Sequence, residues 1–407
     1  MVAAAALGAL AVVHCTTDPR KPSGPDSGLD TTDERCGSAT LCGDACVDLA
    51  TSITSCGACG KACAAGEKCA LGTRRGCATT DVDGDGENAC IDCNDADSNV
   101  NHAAFDVLGN EKDDDCNGTK DDVVSCEGTP PSNSSSASDY AHAMELCEPS
   151  LVAATLTSPD DRARQIATAW GIFGPTAGAR FSAFSTGVAA ATGSTSPAPI
   201  LGETPQLGTD FAKTGAPYPG AIGSQMCPSA LADPTTANDL TSFTLTLLVP
   251  ANAHSFSLDV DFLTADAPEW PCSDFDDQAL LLLDSLSLKA NLLLDGAGRR
   301  MSVNHGLVLL KDAPGLAGTG FESLDSNGDV KGASTGWITV SAPVTPRETI
   351  TLHFFLFDAK DGIYDSQLLV DHFRWSTETL PCPSSSSPLD DAGVGAGCAP
   401  LTDAGKD

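Results

Sequence analysis

Aspartates stand at every second position where the acidic segment from residue 81 to residue 122 begins. The segment opens Asp81-Val82-Asp83-Gly84-Asp85-Gly86, and fourteen of its residues are Asp or Glu, against two lysines. Carboxylates at this density repel one another unless cations lie between them. Several hard oxygen ligands on a sharply turned chain are what Ca²⁺ prefers. The segment therefore predicts calcium binding.

The spacing of five of these residues matches a known calcium loop. Asp81, Asp83, Asp85, Gly86 and Asp92 occupy positions 1, 3, 5, 6 and 12 of the EF-hand template, with Asp in place of the usual Glu at the last position. Flanking helices are not predicted, because Gly, Cys and Asp crowd both sides. Weaker echoes follow, and the predicted ligands are Asp81, Asp83, Asp85, Asp92, Asp95, Asp97, Asn99, Asp113, Asp115 and Asn117. The alternative is a solvated acidic linker.

The charge balance excludes two large classes of partner. The chain has 407 residues and a formal net charge of −33. Nucleic acids and anionic lipid surfaces are bound through basic patches, which this composition does not supply. Charged residues make up only 19% of the chain, and Gly, Ala, Ser and Thr are plentiful. This balance is typical of a secreted, β-rich protein.

The first fifteen residues have the character of an export signal. Met1 to Val13 is apolar and too short to span a bilayer as a helix. Leu10 to Cys15 looks like a bacterial lipobox, in which Cys15 would carry the lipid. The alternative is an ordinary cleaved signal peptide. The chain has 18 cysteines, so lipidation of Cys15 would leave an odd number for pairing.

Composition divides the chain into modules. The predicted order is a signal peptide with lipobox (1–15), a disordered linker (16–35), a cysteine-rich module (36–80), an acidic metal-binding repeat (81–125), a β-sandwich (126–380) and a disordered tail (381–407). The cysteine-rich module is too short to bury a stabilising core, so disulfides are expected to stabilise it. Zinc is the alternative, because Cys56-x-x-Cys59 and Cys90-x-x-Cys93 have ligand spacing. Export to an oxidising compartment favours disulfides.

Alternating hydrophobic residues predict strands through the sandwich region. Phe256, Leu258, Val260 and Phe262 alternate with polar residues, and 348–357 repeats the pattern. Strands are predicted at 243–249, 254–263, 279–283, 286–294, 301–310, 337–341, 348–357 and 368–375, and short helices at 138–147 and 160–169. Antiparallel strands with Gly, Pro and Asp turns predict a mainly β protein. Its main domain is expected to be an antiparallel, jelly-roll-like β-sandwich, preceded by small disulfide-rich and calcium-loop modules.

Carboxylates at turns of the predicted sandwich suggest a second metal site. Loops at one end of a sandwich could bring such residues together. The hypothesised ligands are Asp274, Asp276, Asp277, Asp361, Asp365 and Asp371. The alternative is that these residues only form turns, which Asp favours.

Two short regions resemble known repeats. The runs DCNDADSNVN (92–101) and DDDCNG (113–118) resemble the metal-binding repeat of the MopE type. That resemblance implies a disulfide between Cys93 and Cys116 around a metal-binding loop, and the oxygen donors favour calcium. The eight cysteines from Cys36 to Cys77 have a spacing similar to that of Stig1-like cysteine-rich repeats of secreted proteins.

The sandwich region resembles the choice-of-anchor L domain of bacterial surface proteins. The similar motifs, in the family's order, are FSLDVDF (256–262), APEWPCSDFDD (267–277), TGWIT (335–339) and DGIYDSQLLVDHFRW (361–375). The family has no established enzymatic activity. The resemblance therefore implies a location at the cell surface and a fold more than a chemistry.

These observations predict an exported, non-enzymatic, calcium-binding protein, either a surface lipoprotein of the outer membrane or a secreted protein. Its sandwich is expected to bind a glycan, a matrix polymer or another protein, and membrane contact is expected only through an N-terminal lipid. One alternative is a secreted hydrolase that acts on polysaccharide or peptide through an acidic site in the sandwich. Another is a structural coat or matrix protein.

Overall fold

The chain folds into two compact units, Met1–Ala78 and Thr79–Asp407. The computed structural model describes residues 39–43, 45–122, 125–195, 211, 216–220, 236–273, 275–286, 288–310, 313–322, 332–360 and 362–380. The predicted signal peptide with Cys15, the linker and the C-terminal tail lie outside the described residues. The acidic repeat lies in the same unit as the sandwich.

Strands of two to 13 residues and a few short helical turns make up the secondary structure of the described residues. The strands are β1 Thr40–Cys42, β2 Ala45–Val47, β3 Glu67–Ala70, β4 Thr73–Gly76, β5 Leu151–Thr157, β6 Arg164–Ala167, β7 Phe181–Ser185, β8 Ala216–Pro217, β9 Thr236–Leu248, β10 Ser255–Thr264, β11 Gln278–Asp284, β12 Lys289–Asn291, β13 Leu309–Leu310, β14 Ala333–Ser334, β15 Ile338–Pro343, β16 Thr349–Ala359 and β17 Ser366–Ser376. The helices are α1 Ala137–His142 and two 3₁₀ turns, Asp161–Ala163 and Ala313–Leu316.

The described part of the first unit consists of two hairpins, β1–β2 and β3–β4. Disulfides join Cys42 to Cys59 and Cys56 to Cys69. Strands of three or four residues bury little apolar surface, so these crosslinks supply stability that a core would otherwise supply. The prediction of disulfides rather than zinc at Cys56 and Cys59 is confirmed.

The second unit contains two antiparallel sheets. One follows the order β13-β14-β10-β17-β7-β6, with β15 also paired to β10, and the other follows β12-β11-β16-β9-β5, with β8 paired to β9. Every strand pairing between described residues is antiparallel. The predicted mainly β fold with antiparallel sheets is confirmed.

The core lies between these sheets and comes from the predicted alternation. Ile350, Leu352, Phe354 and Leu356 of β16 are buried, and the Phe354 ring lies 5.8 Å from that of Phe243 on the neighbouring strand. Burying a side chain of this size contributes roughly 1.5–3 kcal/mol. The face that the period-two pattern marks as apolar is thus the face that stabilises the sandwich.

Strand β10 differs from its prediction because both of its faces are buried. Its apolar face contributes to the inter-sheet core, but Asp259 and Asp261 on the other face are also buried. A second apolar cluster, which includes Trp170, Phe181 and Leu369, covers that side of the sheet. Alternation alone predicts one buried face and cannot report a second layer of packing.

Some predicted elements are wrong in extent or type. The first helix begins at Ala137 with Ser136 as N-cap, two positions before residue 138, where the predicted helix was expected to start. The predicted helix over 160–169 forms one 3₁₀ turn and then strand β6, because Asp160 caps a single turn through the Arg162 N–H and β6 pairs with β7. The predicted strand 301–310 contains only β13 and an isolated bridge at Met301.

The acidic repeat packs directly on the sandwich. The Asn252 side chain accepts a hydrogen bond from Phe105 N (3.0 Å) and donates one to Phe105 O (2.8 Å). Arg347 donates to the backbone oxygen of Asp85 (2.9 Å). These contacts hold the carboxylates of the repeat beside the end of β9 and the beginning of β16.

Candidate metal sites and the neighbouring cavity

The loop that opens the acidic segment turns sharply around Asp81. This carboxylate accepts hydrogen bonds from the N–H groups of Gly84 (2.6 Å) and Gly86 (2.9 Å). Gly86 has a φ of 98°, a conformation that a side chain would strain. The turn brings the next carboxylates of the loop toward a common point.

Three of these carboxylates, Asp83, Asp85 and Asp92, form what we call the first acidic site. One oxygen of each lies within 4.8 Å of the others. In each residue Oδ1 accepts a backbone N–H, at 3.2 Å for Asp83, 2.8 Å for Asp85 and 2.7 Å for Asp92. The three Oδ2 atoms are buried and have no hydrogen-bond donor among the described residues. The backbone thus orients three carboxylates and leaves one oxygen of each to a hard cation.

Asp92 is the most enclosed member, at 3% exposure. Its burial raises the pKa of the Asp92 carboxyl, and the negative charges of Asp85, Asp83 and Asp95 raise it further. Asp81 and Asp95 extend the site, because oxygens of Asp81, Asp83 and Asp95 also lie within 4.8 Å of one another. The site therefore gathers five of the predicted ligands.

Another three-carboxylate group, Asp106, Asp113 and Asp115, forms the second acidic site, again with one oxygen of each within 4.8 Å. Asp113 Oδ2 accepts the Gly118 N–H at 3.0 Å, while its Oδ1 is buried without a donor among the described residues. Asp113 thus has one bonded and one free oxygen, as in the first acidic site, whereas both oxygens of Asp106 and of Asp115 accept hydrogen bonds. Two of its three members, Asp113 and Asp115, were predicted.

Asp106 is the ligand candidate that sequence reasoning missed. It accepts hydrogen bonds from the N–H groups of Asp114 (2.7 Å), Asp115 (3.1 Å) and Asp122 (3.0 Å), so it organises the whole end of the repeat. It stands seven positions before Asp113, outside the every-second-residue spacing. The sequence feature that could have drawn attention to Asp106 was its position between two apolar residues.

Three predicted ligands lie outside both acidic sites. Asp97 forms an ion pair with Lys112 at 2.8 Å, and the hydrogen bond from Lys112 lowers the pKa of Asp97. Asn99 is exposed and bonds Asp97, and Asn117 is exposed and bonds Asp115. The structure therefore places none of these three residues in either acidic site.

A disulfide joins the two acidic sites. Cys93 is bonded to Cys116, as the MopE-type resemblance implies. Cys93 directly follows Asp92 of the first site, and Cys116 directly follows Asp115 of the second. Cys90 is also disulfide-bonded, so the Cys90-x-x-Cys93 pair is not a zinc site.

Of the six residues hypothesised as a second metal site in the sandwich, the four that the structure describes do not form one group. Asp274 and Asp361 lie outside the described residues. Asp371 accepts hydrogen bonds from the backbone and hydroxyl of Thr176, about 20 Å along β17 from Asp365 at strand rise. Asp276 accepts a hydrogen bond from the Asn304 side chain at 2.8 Å, and burial raises the pKa of Asp276 to about 6.

Asp277 and Asp365 do lie at one end of the sandwich. Ser366, which follows Asp365 in the chain, donates from its hydroxyl to Asp277 Oδ2 at 3.0 Å. Both aspartates are buried. Their surroundings also contain aspartates that were not predicted.

A cavity of about 800 Å³ lies where the acidic repeat meets the sandwich, and we call it the repeat cavity. Its walls combine aromatic, apolar and charged side chains. They include Phe105, Asp106, Asp115, Glu145, Leu248, Arg347, Phe373, Arg374 and Trp375. A concave site of this volume, mostly apolar with a few polar groups, is typical of ligand binding.

Glu145, which lines the repeat cavity, has a carboxyl group with an unusual pKa. Burial raises its pKa, and the negative charges of Asp371 and Glu127 raise it further, to about 8. The raised pKa favours the neutral, protonated form of this carboxyl group, both of whose oxygens are buried without a hydrogen-bond partner among the described residues.

Comparisons with known proteins add little to this description. No family model matches the chain, and no curated protein matches it. Among solved structures, the chain is similar to TmCBM61, described in complex with β-1,4-galactotriose, at 11% identity and a TM-score of 0.21. The match covers 56% of this chain and 91% of that one. At this TM-score the likeness supports no conclusion about the ligand of this protein.

The covalent structure bears on location. Disulfides in both units fit an extracellular or secreted protein, because such bonds persist in oxidising compartments. Within the described ranges, no helix is long and apolar enough to cross a membrane.

Proposed function

We propose that this protein is an exported, non-enzymatic calcium-binding protein whose acidic repeat is ordered by Ca²⁺ beside a ligand-binding cavity. The observation that carries the proposal is that Asp83, Asp85 and Asp92 each bring one carboxylate oxygen within 4.8 Å of the others, while the buried Oδ2 of each has no hydrogen-bond donor among the described residues. Carboxylate oxygens without soft or nitrogen donors fit Ca²⁺ better than copper or zinc. Affinity near 10⁻⁴–10⁻³ M, roughly that of extracellular modules, is sufficient outside the cell.

Chelation is expected to loosen the acidic repeat. With EDTA, carboxylates in both acidic sites repel one another, so protease cleavage between Cys77 and Cys126 should become several-fold faster. The measurement is limited proteolysis of the full chain, with cleavage sites mapped by mass spectrometry. Adding excess Ca²⁺ should restore resistance, whereas excess Mg²⁺ serves as the control for ionic strength. Equal cleavage with EDTA and with Ca²⁺ would contradict the proposal.

The repeat cavity is the best candidate for the ligand site, and an oligosaccharide is the ligand class that we propose. Aromatic rings of Trp375 and Phe105 suit the apolar faces of sugars, which stack on such surfaces. The guanidinium of Arg374, an exposed residue of the cavity wall, suits sugar hydroxyls. Asp106 and Asp115 line the same cavity, so calcium at the second acidic site would order one of its walls.

Removal of the Trp375 ring is expected to weaken glycan binding by about 10-fold or more, since truncation of a central aromatic residue commonly has that effect. The measurement is a glycan-array screen of the full chain with Ca²⁺, followed by titration of the best ligand into Trp375→Ala. Trp337→Ala is the matched control, because Trp337 is also partly exposed but packs with Phe181, away from the cavity residues. Equal loss in both variants, or no glycan bound by the wild type, would argue against this ligand class.

The hydrolase alternative has less support. Asp277 and Asp358, a pair of adjacent carboxyl groups in the sandwich, are buried at 2% and 0% exposure, where a polymer has no access. Residues Gly332 to Gly336 match the G-x-S-x-G spacing of a hydrolase nucleophile, but Ser334 lies on strand β14 rather than at a strand-to-helix turn, and it donates to Asp261. Anchoring through a lipid on Cys15 stays part of the proposal, and the intact mass of the mature protein tests it.

A further inference from the structure

Six strand ends meet at one end of the sandwich. In the six-stranded sheet, β9 and β11 begin at this end and β16 ends there. In the seven-stranded sheet, β7 and β10 end there and β17 begins there. Five aspartates stand at these ends, all at 2% exposure or less. This strand-end cluster consists of Asp239, Asp266, Asp277, Asp358 and Asp365.

Asp358 is the residue that sets this cluster apart. It is 0% exposed, and neither of its carboxylate oxygens accepts a hydrogen bond of normal geometry from a described residue. It lies at a bulge in the pairing of β16 with β9, opposite Asn238. An isolated buried carboxylate without hydrogen bonds is strongly disfavoured. Either a proton or a bound cation must therefore neutralise this carboxylate.

Asp277 lies beside Asp358 and has its own fixed orientation. Its Oδ2 accepts the Ser366 hydroxyl at 3.0 Å, and its Oδ1 accepts the Ala359 N–H at 3.3 Å. Burial raises the pKa of both carboxyl groups well above the usual range. The charge of Asp266 raises both values further, and Asp239 adds to the effect on Asp358.

The other polar groups around the pair are hydroxyls. Thr186 lies close enough to Asp358 to lower its pKa against the effect of burial, and the Thr186 hydroxyl accepts the Ser366 N–H at 3.0 Å. The Ser366 and Thr264 hydroxyls lie 3.0 Å apart. Carboxylates and hydroxyls are hard oxygen donors, which Ca²⁺ prefers over transition metals.

We propose that the strand-end cluster binds a hard divalent cation, of the Ca²⁺ class, with Asp277 and Asp358 as its carboxylate ligands. A single proton shared by this pair would neutralise one negative charge, whereas Asp266 and Asp239 bring further carboxylates within electrostatic reach. A divalent cation compensates two charges at once and satisfies both free oxygens of Asp358. This site is separate from both acidic sites of the repeat and does not depend on the proposed ligand.

The cation would connect the two sheets at this end. Asp277 and Asp358 belong to strand ends of the six-stranded sheet, and Asp266 and Asp365 to those of the seven-stranded sheet. Gly187 follows β7, and a Cβ there would lie 1.8 Å from Asp365 Oδ2. Glycine at position 187 thus leaves the space that this carboxylate of the cluster occupies.

The test is a count of bound cations in the full chain. A variant with Asp92→Asn and Asp113→Asn lacks a ligand in each acidic site but keeps the strand-end cluster unchanged. After equilibrium dialysis against Ca²⁺, plasma mass spectrometry should find one calcium per chain in this variant. Its melting temperature should also fall when EDTA is added. No retained calcium and an unchanged melting temperature would overturn the proposal, even if both acidic sites bind calcium in the wild type.

Asp358→Asn, added to that double variant, gives the second measurement. The side chain keeps its shape and loses its charge, so the retained calcium and the EDTA-dependent shift should both disappear while the far-ultraviolet circular dichroism is kept. If Asp358→Asn stabilises the protein equally with and without calcium, the pair shares a proton and the proposal is wrong. Asp371→Asn is the control, since Asp371 is buried on β17 and bonded to Thr176 away from the cluster.

Discussion

Asp92→Asn is expected to weaken calcium binding to the first acidic site by about 10- to 100-fold, equivalent to roughly 1.4–2.8 kcal/mol. The substitution removes one of three converging charges from an enclosed position, where the attraction to a cation is less screened than in water. Without calcium the same change should leave stability unchanged or increase it, because Asp92 is repelled by Asp83, Asp85 and Asp95. The effect on stability should therefore change sign between calcium and EDTA.

Asp97→Asn is the matched control for that experiment. Asp97 belongs to the same acidic segment, but it is paired with Lys112 and lies outside both acidic sites. Isothermal titration of Ca²⁺ into each full-length variant, with thermal unfolding in both conditions, makes the comparison. Equal calcium affinities in the two variants would show that net charge, rather than the converging oxygens, governs binding.

The sequence was informative where local spacing determines geometry. The loop from Asp81 to Asp92 brings together the carboxylates that the calcium-loop template predicts, because one chain segment carries all of them. Strands β10 and β16 follow their apolar alternation for the same reason. Asp97 has the predicted spacing but lies outside the acidic sites, because it forms an ion pair with Lys112. Spacing alone therefore does not identify every ligand.

Other features depend on contacts distant in sequence. Asp358 and Asp277 become neighbours only when β16 pairs with β11, where Phe357 stands opposite Gln278. Asp371 was grouped with Asp365 because it stands near the start of the predicted strand 368–375, yet it lies in the middle of β17, and an extended strand separates the two side chains. Sequence patterns identify turn-borne carboxylates, but the sheet register decides which of them meet.

Opening the Cys93–Cys116 disulfide is expected to impair both acidic sites together. The bond closes a loop with a sequence separation of 23 residues, and its loss should destabilise the repeat by about 3 kcal/mol through the entropy of the open chain. Ca²⁺ binding would then have to order that chain, so both calcium affinities should fall. A variant with Cys93→Ser and Cys116→Ser, titrated with Ca²⁺ by calorimetry, measures this coupling. The control carries Cys42→Ser and Cys59→Ser, which open a disulfide in the other unit and should leave the calcium heats unchanged. If the first variant binds calcium like the wild type, the repeat is ordered by its packing on Asn252 and Arg347 rather than by the crosslink.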